Sequence, residues 1–229
     1  VRNEQRSLTD CLQSVKDIAD EIVIVDEYST DDTVNIAKKF GAKVYKEPHH
    51  EIFHITKNKA IDKASGDWIL QLDADERVTP QLQEEIKSEI RNPVFRQKIP
   101  NREQSEINGY WIPRKNWFLG RFLMKGGVYP DYTLRLYKRG KGKLPQVSVH
   151  EQAVVEGKAV FLKNPLIHMA DTTFTRYLLR WNRYVNLIRD ELFLHKRGPF
   201  TFVDYVLVKP LFWFLKTYIR HKGFLDSWQ

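Results

Sequence analysis

The stretch WILQLDADER, Trp68 to Arg77, is an apolar run that ends in three carboxylates within four residues: Asp73, Asp75 and Glu76. The run has the length and apolarity of a buried strand. Carboxylates crowded at its end repel one another and lose solvation. A bound divalent cation would resolve that conflict. Side chains at i and i+2 of a strand share a face, so Asp73 and Asp75 are expected to face one ligand together. Hard oxygen donors suit Mg²⁺ or Mn²⁺. The plainer reading makes them loop carboxylates capping the helix that follows Thr79.

Strands and helices alternate through the first hundred residues. Leu8, Cys11, Leu12, Val15, Ile18 and Ala19 recur at helical spacing, which predicts a helix over 7–19. EIVIVD (21–26) reads as a buried strand. STDDT offers caps for the helix TVNIAKKF, which Gly41 stops. AKVYKE (42–47) is a second strand, ITKNKAIDKAS (55–65) a helix, and DWILQLD (67–73) the next strand. Thr79 and Pro80 open a further helix. Strands separated by helices imply an α/β fold with a mostly parallel central sheet, and ligands at the carboxyl ends of its strands. Asp26 and Asp73 both fall at such ends. Residues 93–109 read as a loop. GYWIPR, YTLRLYKR and QVSVHEQAVV read as strands of an antiparallel extension, and from about residue 172 the pattern is helical. The expected division is a domain over 1–170 and a helical extension over 171–229.

The composition, 42% hydrophobic and 29% charged over 229 residues, is that of a globular chain. One cysteine, Cys11, excludes an internal disulfide, and its helical spacing predicts burial. The net charge of +8 admits nucleic acid, an anionic membrane or a phosphorylated substrate as partners. A chain opening on Val1 and closing on GFLDSWQ reads as a fragment lacking both natural ends.

Six segments in order resemble family-2 glycosyltransferases of GT-A fold: VRNEQRSLTDCLQSV, EIVIVDEYSTDDT, ITKNKAIDKASGDWILQLDADE, GGVYPDYTLRLYKRG, VHE and GFLDSW. The branch most similar is that of bacterial lipopolysaccharide core β-glucosyltransferases. The resemblance implies a Rossmann-like nucleotide-sugar-binding sandwich. It also implies inverting transfer of a hexose, with glucose from a UDP-sugar as the family-level expectation. It implies that Arg2, Asn3 and Glu4 line the nucleoside pocket and that Asp26 contacts the base. Asp73 and Asp75 would hold ribose and the metal diphosphate, with Lys57 and Asn58 near the nucleotide. Two departures stand out. The family's first strand precedes the NE stretch and is missing here. The turn after Asp26 carries Glu27 and Tyr28 where the family has a small residue and glycine.

Inverting transfer needs a base for the acceptor hydroxyl. Asp131 in YPDYTLR is the candidate, with Tyr129, Pro130 and Tyr132 as neighbours that would desolvate it; a turn aspartate is the plainer reading. Arg135 is placed to pair with Asp131 or to reach the diphosphate. His150 is the candidate third metal ligand, and Glu151 an alternative base or acceptor contact. Trp111, Trp117 and Phe118 are candidates for stacking on an acceptor sugar, or for core packing.

Between Phe200 and Leu225 aromatic and aliphatic residues are interrupted by Asp204, Lys209, Lys216, Arg220 and Lys222. No apolar run there is long enough to span a bilayer, and an amphipathic helix lying in the interface fits better. The expected setting is the cytoplasm, peripheral on the inner face of the cytoplasmic membrane, with a glycolipid or oligosaccharide acceptor. A nucleotidyltransferase is the alternative enzyme, although no glycine-rich phosphate loop is seen. A nucleic-acid binder is the non-enzymatic alternative, against which the spread of basic residues around helices counts.

Overall fold

A computed structural model of the chain describes residues 1–50, 52–91, 106–145, 152–194 and 202–226. They form two compact units. The first comprises Val1–Arg114 and Tyr132–Ile167, and the second Lys115–Asp131 and His168–Gln229.

In the first unit, α1 (Leu8–Gln13) precedes β1 (Val23–Asp26), α2 (Thr33–Lys39) and β2 (Lys43–Lys46). β1 and β2 pair in parallel, Val23 opposite Lys43 and Asp26 opposite Lys46. Val1 lies along the other edge of β1: its amino group donates to Val25 O at 2.7 Å, and its carbonyl accepts Glu27 N at 2.9 Å. Leu8, Leu12, Ile24 and Ala37 form the core between these elements. The helix predicted over 7–19 is shorter, because after Gln13 the chain continues as single turns through Ala19. Cys11 is buried, as its spacing predicted.

α3 (Phe53–Lys63) leads to β3 (Trp68–Leu70), β4 (Glu76–Val78) and α4 (Pro80–Arg91). β5 (Ile107–Phe118), β6 (Arg121–Phe122) and β7 (Asp131–Lys138) follow. The short strands β8 (Gly142–Lys143) and β9 (Val154–Val155) pair with each other, and β10 (Lys158–Phe161) and β11 (Leu166–Asp171) complete the set. The larger sheet runs β3-β7-β5-β11-β4, with β6 and β10 also on β5. This sheet is mixed, which corrects the mostly parallel expectation. β7 lies antiparallel against β3, and β6 antiparallel against β5, whereas β10 is parallel to β5. Of the strands expected to form an extension, GYWIPR and YTLRLYKR instead enter the central sheet as β5 and β7; residues 146–151 of QVSVHEQAVV lie outside the described ones, and its end, β9, pairs with β8 apart from that sheet. β7 can take a central place because Thr133 to Tyr137 are buried without interruption, so both of its faces are covered. The loop expected over 93–109 ends earlier, since β5 already begins at Ile107; residues 92–105 lie outside the described ones.

Two apolar clusters hold this sheet. Val78, Leu82, Ile86, Tyr110, Ile112, Leu136, Leu162 and Leu166 pack with Val15. Ile61, Ile69, Leu134, Tyr137, Leu144 and Ala153 form the other.

In the second unit α5 (Phe174–Leu194) is followed by a helical stretch from 202 to 220. There α6 (Lys209–Phe214) is flanked by wider, π-helical turns at Asp204–Val208 and Leu215–Arg220. Pro210 brings no amide hydrogen to the ladder, and one wide turn lies just before it. A 3₁₀ turn, Gly223–Asp226, ends the described chain.

Ile112 is fully buried in the first cluster. Ile112→Ala is expected to cost about 2–5 kcal/mol of stability, read as a lowered urea midpoint with an unchanged m-value.

Candidate active site

β3 ends at Leu70, and Gln71 N still donates to Arg135 O of β7 at 2.8 Å. The chain then turns: Glu76 N donates to Asp73 O at 2.9 Å, closing a four-residue turn around Ala74 and Asp75. The two-residue alternation of a strand therefore does not reach Asp73 and Asp75. Expecting them on one strand face is corrected on that ground. Glu76, in β4, is fully buried.

Side-chain cations compensate the crowded carboxylates. Lys57 from α3 is ion-paired to Asp73 Oδ1. Arg135 Nη2 donates to Asp73 Oδ2 and to Glu76 Oε1, each at 2.7 Å. Arg114 of β5 reaches the same Glu76 oxygen at 3.3 Å, and the other oxygen accepts Asp73 N at 2.9 Å. Burial pushes the Asp73 carboxyl up, but attraction to Arg135 and Lys57 outweighs it and holds the group well below the usual carboxylate range. Arg135 loses solvation, yet the two carboxylates keep it firmly protonated. Cys11, whose Sγ lies 3.5 Å from Asp73 O, is pushed up to about 12 by burial and by the nearby carboxylates. It is a buried thiol with no nucleophilic character at neutral pH.

Glu76 and Arg114 were not singled out from sequence as site residues. A signal for Glu76 was present: it stands two places before Val78, which is buried, so strand alternation turns both inward.

The carboxyl end of β1 forms a second part of the site. Asp26 is fully buried, and its carboxylate accepts Ser29 N at 3.2 Å. Arg2, Asn3 and Glu4 run beside the turn that follows. Asn3 N donates to Ser29 Oγ at 2.9 Å, Asn3 Oδ1 accepts Thr30 N at 2.8 Å, and Glu4 N donates to Thr33 Oγ1 at 2.8 Å. The structure thus brings the first stretch and Asp26 together. Tyr28 has φ +53°, in the left-handed region that favours glycine, and its side chain is 59% exposed. The backbone geometry for which a glycine is usual is kept here by a tyrosine, at a cost on the order of 1 kcal/mol. Lys46 lies 5.7 Å from the Tyr28 ring centre. Glu27 turns inward and accepts Thr56 Oγ1 at 2.5 Å, with His49 Nδ1 at 2.6 Å.

Lys57 and Asn58 are adjacent on α3 but differ in surroundings. Lys57 joins the Asp73 pair, whereas Asn58 is buried and exchanges hydrogen bonds with both backbone groups of Leu144, at 2.8 and 3.0 Å.

In the second unit, Asn116 Nδ2 donates to Asp131 Oδ2 at 3.0 Å, and Asn116 Oδ1 lies 2.7 Å from His168 Nδ1. Neither Asn116 nor His168 was singled out from sequence, because they lie far apart along the chain. Trp111 stacks on Phe161, Trp117 meets Phe122 edge-on, and Phe118 meets Tyr177 edge-on. His150 and Glu151 lie outside the described residues.

Among the described residues no group of three or more His, Cys, Asp or Glu side chains is placed to hold a metal ion. Both Asp73 oxygens are engaged by cations, so the turn fits a metal shared with substrate phosphates better than a cage built of protein ligands alone.

Removing the Arg135 charge leaves two carboxylates undercompensated. Arg135→Met is expected to destabilise the protein by about 3–5 kcal/mol, measured in urea. Asp73 has a depressed folded-state pKa. Its contribution is therefore complete above the unfolded value, about 3.9, and lost as pH falls through the folded one. In Arg135→Met that acid loss should begin at higher pH, visible as a shifted urea midpoint against pH.

The family model described as Glycosyl transferase family 2 matches residues 1–154. An uncharacterized glycosyltransferase of Rickettsia felis is 43% identical over 99% of this chain and 81% of its own length. The lipopolysaccharide core biosynthesis glycosyltransferase LpsC of Rhizobium meliloti is 27% identical over 98% of this chain and 83% of its own. Among solved structures, S. aureus TarS (residues 1–349) is similar with a TM-score of 0.51 at 16% identity, covering all of this chain and 73% of that one. The mannosyltransferase PcManGT of Pyrobaculum calidifontis, solved with GDP-Man and Mn²⁺, gives 0.52 at 14% identity, covering 98% and 67%. A family match over more than half of the chain, with these folds beside it, means that the chain belongs to glycosyl transferase family 2 and is a glycosyltransferase of GT-A fold.

Proposed function

We propose that this glycosyltransferase moves a hexose, with inversion, from a nucleoside diphosphate sugar to a hydroxyl of a lipopolysaccharide-core or related glycolipid. The observation that carries the reading is the convergence of Lys57 and Arg135 on the aspartate turn after β3, at the sheet end where α/β folds take ligands. Asp26 and the stretch Arg2–Glu4 hold the nucleoside, and Asp73, fixed by its two cations, meets the ribose. Lys57 faces the diphosphate with positive charge, and Arg135, buried behind the turn, holds Asp73 in place. Asp75 is the carboxylate that would hold Mg²⁺ or Mn²⁺, with His150 as a further ligand, and a cation bound there supplies charge stabilisation to the leaving diphosphate. Asp131 accepts the proton of the acceptor hydroxyl as the new glycosidic bond forms, and Glu151 contacts the acceptor. The name of LpsC supports the acceptor class, and the ligands of PcManGT support a nucleotide-sugar donor with a divalent cation. UDP-glucose remains the preferred donor on the family resemblance.

The acceptor class also accounts for the carboxyl-terminal helical stretch. Residues 202–215 are all exposed, including Phe202, Leu207, Leu211, Phe212, Trp213 and Phe214. Lys209, Lys216 and Arg220, spaced by seven and four, share one side of a helix. Lys209 Nζ lies 3.5 Å from the Tyr205 ring centre, and Lys216 Nζ lies 4.4 Å from that of Trp213. A basic stripe beside exposed aromatic and aliphatic side chains suits an anionic bilayer interface. No helix among the described residues is long and apolar enough to cross a membrane. The enzyme is accordingly proposed to work peripherally, at the inner face of the cytoplasmic membrane.

The test is a panel of nucleotide sugars with Mn²⁺, read first by thermal shift and then by transfer. One sugar nucleotide should raise the Tm of the wild type. Asp75→Asn should keep the unliganded Tm but lose the Mn²⁺-dependent rise and at least about 100-fold of transfer. Asp131→Asn should keep donor stabilisation and lose about 10²–10⁴-fold of transfer. Normal turnover by Asp75→Asn would remove the metal assignment.

A further inference from the structure

The chain from Leu119 to Pro130 is a loop whose two ends are tied together. At one end β6 returns on β5, with Trp117 opposite Phe122 and Phe118 opposite Arg121. At the other end stands Asp131, held by Asn116 of β5. The middle of the loop makes no strand ladder of its own. Its backbone groups are satisfied instead by the last described segment, His221 to Asp226.

Asp226 supplies most of that grip. Its Oδ1 accepts Met124 N at 3.2 Å, and its Oδ2 accepts Lys125 N at 2.7 Å. Its backbone carbonyl accepts Arg121 Nη1. One residue further along the loop, Gly126 N donates to His221 O at 3.0 Å. The fit is close. A Cβ on Gly127, at φ +77°, would lie 3.3 Å from the His221 ring. A Cβ on Gly223 would lie 2.9 Å from Thr217 O and 3.5 Å from Gly126 Cα. A carboxylate accepting two successive amides is a charge-assisted cap, stronger than the neutral hydrogen bonds around it. The segment that makes this cap continues directly from the helical stretch 202–220, which carries the exposed apolar side chains and the basic stripe.

We propose that Asp226 is a positioning residue that fastens the Asp131-bearing loop to the lipid-facing segment, so that docking of that segment on anionic lipid holds the loop in its working conformation. This rests on the reading of Asp131 as the base and of residues 202–220 as the membrane contact. Transfer is thereby favoured where a glycolipid acceptor resides. In free solution the segment and the loop fray together, because among the described residues 202–215 is exposed along its whole length.

The test is hydrogen–deuterium exchange of the whole protein with and without phosphatidylethanolamine/phosphatidylglycerol vesicles, with vesicle binding measured by co-sedimentation. In the wild type, vesicles should bind and slow the amides of 121–131 by about tenfold or more. Asp226→Ala should bind vesicles as well as the wild type, while its 121–131 amides exchange about tenfold faster and no longer respond to vesicles. Asp226→Asn, which keeps one acceptor oxygen, should retain part of the response. Unchanged exchange in α3 reports that the fold is intact. Vesicle binding by the wild type without slowing of 121–131, or an undiminished response in Asp226→Ala, overturns the coupling and leaves the membrane reading standing. Failure of the wild type to bind vesicles overturns both.

Discussion

The buried guanidinium of Arg135 is the charge on which the carboxyl end of β3 rests. It comes from the middle of β7, where five successive residues are buried, and it meets Asp73 and Glu76 at 2.7 Å each. Two carboxylates within four residues of chain are tolerable there because Arg135, Arg114 and Lys57 arrive from three different elements. The cluster therefore joins β7, β5, α3 and the turn before β4 into one frame. Leaving either sign unmatched in such a place costs more than the pairs contribute, so the arrangement fixes the position of the turn more than it adds stability.

The turn itself is fixed by charge. Asp73 is spoken for by protein cations, and Asp75 stands at the corner of the turn, two places further on. Asp73 is thus held from both sides by protein cations. A carboxylate shapes the turn at β1 as well. Asp26 is buried and caps Ser29, whereas Tyr28 projects outward from a left-handed backbone.

The second unit is organised by different means. Its loop from Leu119 to Pro130 depends on hydrogen bonds to the last segment rather than on a core, and the helical stretch before that segment buries none of its side chains from 202 to 215. An apolar helix exposed on all sides lacks the burial that usually stabilises one. The family assignment and the sheet do not depend on it, whereas the proposed membrane setting does.

The sequence by itself determined much of the local order. Gly41 ends α2, Thr79 and Pro80 open α4, and the β-branched run before Asp26 forms β1, because caps, breakers and short apolar runs act over a few residues. The ordered motifs likewise named the family, since each is a local string. Tertiary structure decided the rest. That β7 lies antiparallel beside β3, making the sheet mixed, depends on which strands meet, and no periodicity encodes a partner. Glu76 reads as one more acidic residue until Arg114 and Arg135 converge on it from 38 and 59 positions away. Asn116 gains meaning only beside Asp131 and His168, and Asp226 only beside the amides of Met124 and Lys125. Charges and hydrogen bonds act through space over a few ångströms, and folding alone brings such distant positions within that range.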